Sequence, residues 1–428
     1  MKEKLTRFFA KINPYVTALG RNKYLQAVSG AMMATLPITI IGSIAVLLLV
    51  FPIDFVKNGV AALGLTGVLV AANTFTIGAL ALYVSFLIAK NLVQQFIEDD
   101  DGSSAGIISL LSFLLVTPLG ATKEGISAIP TTWLGASGVF SAMIVGLVSG
   151  RIYILIKKKG WTIKMPESVP PMVMKVFEGL IPSIIIGVLF ILVNKVFSLT
   201  SYGSMHQAIY TLLQGPLQTL GGSLPALIIL STVGQILWFF GIHGTNVTMP
   251  IVQPIWLALD VMNLNAIAAG HAAPNIIGLS FFMTLTFGGT ALGLVVLMIR
   301  SKSKQYKALG KLALVPALFG ITEPVIFGTP LVLNFKLAVP FIFNNAIVLI
   351  IAYVLTTLNI VPRFMGTSYI FGLPIGFSAA IQGSIRIIIL QVALQVLSIF
   401  LWMPWFRSLE KEAVIRESEL EIQNVNMN

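Results

Sequence analysis

The sequence predicts an all-α polytopic membrane protein. Of its 428 residues, 56% are hydrophobic and only 10% are charged, whereas soluble domains carry roughly 25% charged residues. The apolar residues form long blocks, many of them near the roughly 20 residues that cross a bilayer as a helix. These observations exclude an ordinary soluble globular fold.

The charge and the cysteine count exclude several other classes. A formal net charge of +11 would indicate nucleic-acid binding in a soluble domain, but here the basic residues lie in the connections between apolar blocks. They therefore act as topology determinants, and we expect no nucleic-acid partner. The chain has no cysteine and three histidines, so we expect no disulfide, no metal site and no cofactor.

The first half predicts five regular spans. Residues 1–24 mix basic and apolar side chains, which indicates an interfacial segment before a retained first helix. Six Lys or Arg lie in that segment and six in residues 151–179, whereas 52–66 and 120–133 have one each. The positive-inside rule then places both termini in the cytoplasm. The predicted spans are 27–50, 67–89, 105–119, 134–156 and 180–199.

Two polar connections in this half carry separate predictions. The acidic run at residues 98–101 is interpreted as a solvated loop. The basic, proline-containing stretch 151–178 is interpreted as a linker that ends an N-terminal domain, 1–178, to which the fifth span also belongs. Residues 179–407 form the C-terminal region, and 408–428 form a charged cytoplasmic tail, either a solvated helix or disordered.

The second half is less regular. We predict spans at 223–240, 245–259, 276–299, 338–358 and 385–403, which brings the total to about ten crossings. Span 276–299 has no charged residue and is interpreted as a clean helix. Residues 312–335 contain too many glycines and prolines for a straight lipid-facing helix, so we predict a re-entrant hairpin. Trp402 and Trp405 are assigned to the interfacial aromatic belt.

Two polar clusters within membrane segments are candidate functional sites, because polar groups there are costly and usually face a cavity. In Trp238-Phe-Phe-Gly-Ile-His243-Gly-Thr-Asn246, two glycines bracket a histidine that offers one hydrogen-bond donor and one acceptor. In Gly320-Ile-Thr-Glu323-Pro324, a carboxylate lies at the tip of a broken helix. Desolvation would make it a good proton acceptor, although a helix cap is the structural alternative.

These motifs resemble those of a known family. Gly320-Ile-Thr-Glu-Pro324 matches the GITEP motif of enzyme IIC, the membrane sugar-translocating subunit of the bacterial phosphoenolpyruvate-dependent phosphotransferase system. Gly241-Ile-His-Gly244 and the ending Leu401-Trp-Met-Pro-Trp-Phe406 are similar to the lactose, cellobiose and diacetylchitobiose branch. The likeness covers most of the chain.

The resemblance implies a homodimer in the bacterial cytoplasmic membrane. The first five spans would form the dimer scaffold, and the C-terminal half, with two re-entrant hairpins, would hold a disaccharide. The sugar would be phosphorylated on its 6-hydroxyl as it reaches the cytoplasm. His243 and Glu323 would be the catalytic and substrate-binding pair near that hydroxyl.

The resemblance also implies the phosphoryl donor. In this branch it is a phosphocysteine on enzyme IIB, which enzyme IIA charges upstream. Because the chain has no cysteine, we expect IIB to act in trans, so that this chain is the membrane component of a phosphotransferase and is not catalytic alone.

Further sugar contacts are predicted from how proteins bind sugars. Aromatic faces cover a pyranose and amides satisfy its hydroxyls, so Trp238 and Phe371 are candidate platforms and Asn246 and Asn275 candidate hydrogen-bonding partners. Ordinary packing or capping is the alternative for each. At the level of function, an ion-coupled secondary sugar transporter is the main alternative, because it too uses broken helices. A channel is disfavoured, since no filter motif is present.

Overall fold

The structure is a computed structural model that describes residues 22–49, 54–122, 125–163, 165–166, 169–329, 331–370 and 372–427. Apart from one antiparallel ladder between β1 (Gly120–Ala121) and β2 (Ser127–Ala128), the regular structure of this part of the chain is helical. Residues 1–21 of the predicted interfacial segment lie outside the described residues.

The helices alternate between long apolar segments and short connecting pieces. In chain order they are α1 (Lys23–Ala34), α2 (Leu36–Leu49), α3 (Asp54–Ala62), α4 (Thr66–Phe75), α5 (Leu80–Phe96), α6 (Ser103–Leu115), α7 (Val139–Lys158), α8 (Pro171–Ser198), α9 (Met205–Ile209), α10 (Gly215–Gly221), α11 (Leu224–Phe239), α12 (Gly244–Ala268), α13 (Leu279–Leu285), α14 (Leu292–Ile299), α15 (Lys304–Leu318), α16 (Glu323–Gly328), α17 (Ala338–Thr357), α18 (Phe377–Ala380) and α19 (Ile385–Met427).

The number of membrane spans depends on how bent helices are counted. Within the described residues, eight helical segments are long and apolar enough to cross a membrane, and a ninth is obtained if 205–221 and 224–239 count as one span. The polytopic all-α class is therefore confirmed. The total of ten crossings and the cytoplasmic position of both termini stay predictions.

The chain divides into two compact units. The first comprises the chain up to Gly221 together with Met249–Ala272, and the second comprises Gly222–Thr248 and the chain from Ala273 onward. The division therefore falls after α10 and within α12, at positions other than the proline-containing linker. The roles predicted for the two halves, a dimer scaffold and a sugar carrier, stay predictions.

Helix α5 is central to the first unit, where it packs against α1, α6 and α7. Ile88 and Ala89 of α5 are fully buried, and glycines of α7 face them. A Cβ atom at Gly146 would lie 2.9 Å from Cβ of Ile88, and one at Gly150 would lie 3.2 Å from Cα of Ala89. These glycines allow the close helix approach that stabilises packing inside a bilayer.

The acidic run is a correction to the sequence analysis, because Asp100 is buried rather than solvated. Its Oδ1 accepts from the backbone N–H of Gly102 at 2.9 Å, and its Oδ2 accepts from Nζ of Lys157 at 2.7 Å. Lys157 also lies 3.0 Å from a carboxylate oxygen of Glu178. This loop is thus tied to α7 and α8 by ion pairs.

The second unit is built around α14, α15, α17 and α19. Phe341, Trp402 and Phe406 are buried in its core beside Leu294 and Val295. The burial of Trp402 corrects its assignment to the interfacial belt, whereas Trp405 is 38% exposed.

Two apolar segments of this unit are interrupted. The predicted hairpin at 312–335 contains the end of α15, a turn at 319–322 and the short α16. The predicted clean span 276–299 is wrong, because α13 and α14 are separated by a non-helical turn in which Gly288 and Gly289 have φ of 56° and 59°.

The charged tail continues α19 as far as Met427. Its Glu410 accepts from the Ser301 hydroxyl at 2.7 Å and from the Lys302 backbone N–H at 2.6 Å, and Glu417 accepts from the Ser303 hydroxyl at 2.6 Å. Tyr306 of the adjoining α15 packs on Phe406, and burial raises the pKa of its phenol. The tail is therefore a helix docked onto the loop between α14 and α15.

Candidate functional site

The histidine motif forms the tight turn between α11 and α12. Gly241 has φ of 79°, a left-handed conformation that glycine adopts without steric cost. Its N–H donates to the Trp238 carbonyl at 3.0 Å, and the Ile242 N–H donates to the Leu237 carbonyl at 2.9 Å. This is the usual way in which a glycine ends a helix.

Gly244 serves a different purpose, which is close approach. A Cβ atom at this position would lie 1.9 Å from the carbonyl oxygen of Gly234, so only glycine allows the start of α12 to lie against α11. The two glycines thus hold His243 at the tip of the turn. Its ring centroid lies 4.2 Å from that of Trp238, with the ring planes at 46°.

A second wall of the site is the turn between α13 and α14. It packs against the residues that follow α15, because a Cβ atom on Gly288 would lie 3.0 Å from Cγ2 of Thr322 and one on Gly320 would lie 3.3 Å from the ring of Phe287. Gly320 itself ends α15 with φ of 79°. Both interrupted helices therefore meet at their breaks.

A cavity of about 200 Å³ lies between these elements of the second unit. Its walls combine aromatic rings with groups that can bond to hydroxyls, which is the composition expected for a sugar site. The polar lining residues are Gln235, His243, Thr245, Thr286, Thr322, Asn345 and Tyr369, and the aromatic ones include Trp238, Phe282 and Phe341.

The family follows from comparison with known proteins. A family model of the phosphotransferase system EIIC matches residues 29–345. The chain belongs to the EIIC family.

Two relatives align with nearly the whole of this EIIC chain. It is 35% identical to the oligo-beta-mannoside-specific EIIC component of Bacillus subtilis (strain 168), covering 99% of this chain and 97% of that protein. It is 32% identical to the cellobiose-specific EIIC component of Geobacillus stearothermophilus, covering 95% and 94%.

A solved structure supports the same assignment for the fold of this EIIC. The crystal structure of the transporter ChbC, the IIC component of the N,N'-diacetylchitobiose-specific phosphotransferase system, matches with a TM-score of 0.88 at 33% sequence identity. The match covers 95% of this chain and 98% of that chain. The chain is thus a multi-pass membrane component of a sugar phosphotransferase system.

The structure of this EIIC brings several of the predicted site residues together. Trp238 and His243 both line the cavity, and Thr322, the residue before Glu323, lines it too. For Glu323 and Asn246 the structure describes the backbone alone, with Glu323 as the first residue of α16. Glu323 therefore begins its helix immediately beside the cavity wall.

Two other predicted contacts are not placed at the cavity. Asn275 lies in the segment between α12 and α13 and is not among the lining residues. Phe371 lies outside the described residues, although its neighbour Tyr369 lines the cavity. The sugar contacts predicted for Asn275 and Phe371 stay predictions.

The sequence analysis of this EIIC missed several lining residues. Gly288 and Gly289 lie inside an apolar span, where a pair of glycines is itself an indication of a break. Asn345 follows Asn344 within another span, and membrane-embedded amides are functional candidates by default. Gln235 and Tyr369 carry no comparable local pattern. Among the described residues, no group of three or more His, Cys, Asp or Glu could hold a metal ion.

Proposed function

We propose that this EIIC carries a disaccharide of the cellobiose, diacetylchitobiose or lactose type across the bacterial cytoplasmic membrane and presents its 6-hydroxyl for phosphorylation. The proposal is supported by relatives named for cellobiose and for lactose, and by the fold shared with the diacetylchitobiose component. The single observation that carries it is the cavity in which the His243 turn, the Gly288 turn and Thr322 meet.

The chemistry of this cavity suits a polyhydroxylated ligand. Trp238 offers an aromatic face, and His243, Gln235 and Asn345 offer groups that donate and accept hydrogen bonds. We propose that His243 orients sugar hydroxyls. The backbone places Glu323 next to Thr322, and we propose that its carboxylate accepts the proton of the 6-hydroxyl.

The proposed phosphoryl transfer forms one bond and breaks another. The 6-hydroxyl oxygen attacks the phosphorus of a phosphocysteine, an O–P bond forms, the S–P bond breaks, and cysteine thiolate leaves while Glu323 takes the hydroxyl proton. Such transfers depend mainly on positioning and charge stabilisation, which this chain can supply. Since its residues include no cysteine, the donor is enzyme IIB acting in trans, with enzyme IIA upstream.

Two features of the assembly belong to the same proposal. The first unit is the scaffold of a homodimer, and the second unit carries the sugar. Both termini are cytoplasmic, which puts the basic cluster at residues 300–311 on the side from which phosphorylated IIB approaches. An excess of Lys and Arg in short connections supports this orientation.

The test is the chemical identity of the transported product. Membrane vesicles that contain this EIIC are loaded with phosphorylated IIB inside, and radiolabelled cellobiose, lactose and diacetylchitobiose are supplied outside. We expect one of these sugars to accumulate as its 6-phosphate, and no accumulation with unphosphorylated IIB. Accumulation of unmodified sugar that depends on an ion gradient would instead establish the ion-coupled alternative.

The variant Glu323→Gln examines the proposed proton acceptor. It keeps the shape of the side chain and removes its charge, so we expect sugar binding to persist and phosphorylation to fall by about 100-fold or more, within the range of general-base effects. Near wild-type production of sugar phosphate would exclude Glu323 as the base.

A further inference from the structure

The turn between α13 and α14 has an unusual backbone. Gly288, Gly289 and Thr290 have φ of 56°, 59° and 56°. Glycine tolerates this left-handed region, but threonine is β-branched and rarely adopts it, at a cost of order 1–3 kcal/mol. The surrounding structure must therefore hold Thr290 in place.

The support comes from one face of α19. Nε1 of Trp402 donates to the Thr290 carbonyl at 3.2 Å, Nε2 of Gln395 to the Phe287 carbonyl at 3.4 Å, and Nε2 of Gln391 to the Thr284 carbonyl at 2.9 Å. The three donors are nearly or fully buried. Their spacing of four and seven residues puts them on one side of the helix.

Helix α17 provides a second support. The Thr290 hydroxyl donates to Oδ1 of Asn345 at 3.2 Å. Asn345 lines the cavity, as do Gly288 and Gly289 on the other side of the contact. The turn is thus fixed at its carbonyl by α19 and at its side chain by α17, and it forms part of the cavity wall between them.

We propose that Trp402 is a positioning residue for sugar binding, acting through the left-handed turn 288–290. Trp402 is not among the residues that line the cavity, so its effect on the ligand is indirect. Broken helices inside a membrane persist only where their released backbone groups find partners. Trp402 satisfies the carbonyl of the one non-glycine residue in the turn.

The proposal makes a specific demand on the indole N–H. The variant Trp402→Phe keeps an aromatic ring in the core but leaves the Thr290 carbonyl without its donor. Loss of a buried hydrogen bond of this kind corresponds to about a fivefold to tenfold change in an equilibrium constant. We expect disaccharide affinity to fall by about that factor, with the fold retained.

A rescue distinguishes positioning from general packing. Thr290→Gly removes the steric reason for support, because glycine adopts a left-handed φ freely. In the Trp402→Phe background this second change should restore most of the lost affinity. Trp405→Phe is the matched control, since Trp405 lies on the same helix and is exposed, and it should bind as the wild type does.

Two measurements on the purified full-length protein decide the proposal. Calorimetry with the disaccharide that the wild type transports reports affinity, and hydrogen exchange of residues 284–291 reports the turn without any sugar. We expect faster exchange and weaker binding in Trp402→Phe alone. Wild-type affinity in that variant, unchanged exchange, an equal loss in Trp405→Phe, or a failed rescue by Thr290→Gly would each overturn it.

The sugar arm rests on the proposed function, and the two can fail separately. If the wild type binds none of the disaccharides tested, the proposed substrate class is refuted. The exchange measurement still decides whether Trp402 holds the turn.

Discussion

The contact between Gly244 and Gly234 makes the sharpest prediction about the site. The variant Gly244→Ala adds one methyl group at the start of α12, where the Cβ atom would lie 1.9 Å from the Gly234 carbonyl oxygen. The nearest obstacle is backbone rather than a flexible side chain, so rotation of a neighbouring side chain cannot relieve it. The start of α12 must move away from α11.

The size of this movement follows from the geometry. Real Cβ atoms essentially never approach another heavy atom closer than 3.0 Å, so the methyl group must retreat by about 1.1 Å. Overpacking of this kind costs about 1–3 kcal/mol of stability. Because His243 precedes Gly244, the imidazole moves too, and a misplacement of about 1 Å can lower a reaction rate by about 100-fold.

The matched control is Gly234→Ala on the facing helix. A Cβ atom there would lie 3.7 Å from the Thr248 hydroxyl oxygen, an ordinary van der Waals distance. Alanine is also favoured over glycine inside a helix by roughly 0.5–1 kcal/mol. We therefore expect Gly234→Ala to be neutral or slightly stabilising.

The assay combines thermal unfolding in detergent, disaccharide binding by calorimetry and sugar-phosphate formation with phosphorylated IIB. We expect Gly244→Ala to unfold at a lower temperature and to turn over about 100-fold more slowly, whereas the control matches the wild type. If both variants bind and turn over sugar as the wild type does, close approach at Gly244 does not position His243.

Three further predictions concern individual side chains. His243→Ala should weaken disaccharide binding by about tenfold through lost hydrogen bonds, and unchanged affinity by calorimetry would make the residue structural. Asp100→Asn keeps an oxygen for its backbone contact but loses the charge that pairs with Lys157, so the free energy of unfolding should fall by about 1–3 kcal/mol. The exposed neighbour in Asp99→Asn is the control, and equal melting temperatures would contradict the pairing. Glu417→Gln removes the carboxylate that accepts from the loop after α14, so amide exchange at residues 302–306 should become faster, and unchanged exchange would argue against docking of the tail.

Local sequence patterns carried the prediction of the membrane class and of one helix break. Hydropathy is a property of each segment by itself, so apolar blocks such as 134–156 and 338–358 correspond closely to α7 and α17. The glycines and prolines of 312–335 predict an interruption for an equally local reason, since they cannot complete a regular helix. The motifs at His243 and Glu323 led to the EIIC family in the same way.

The contacts that shape the cavity depend on residues far apart in the chain. Trp402 and Thr290 are separated by 112 residues, yet their hydrogen bond supports the break inside the span that hydropathy predicts to be regular. Asp100 looks solvated in sequence because acidic residues usually are, but Lys157 stabilises it in a buried position from 57 residues away. The charge run alone does not contain that partner.

The amino-acid sequence was enough to establish an α-helical membrane EIIC with polar motifs at His243 and Glu323. The folded chain was needed to show that the turn at 288–290 faces the same cavity as His243, that Trp402 supports this turn, and that the charged tail docks onto the loop after α14. The physical reason is that hydropathy and glycine or proline content act on the local backbone. Buried hydrogen bonds and ion pairs, in contrast, form only where packing brings distant donors and acceptors within about 3 Å of each other.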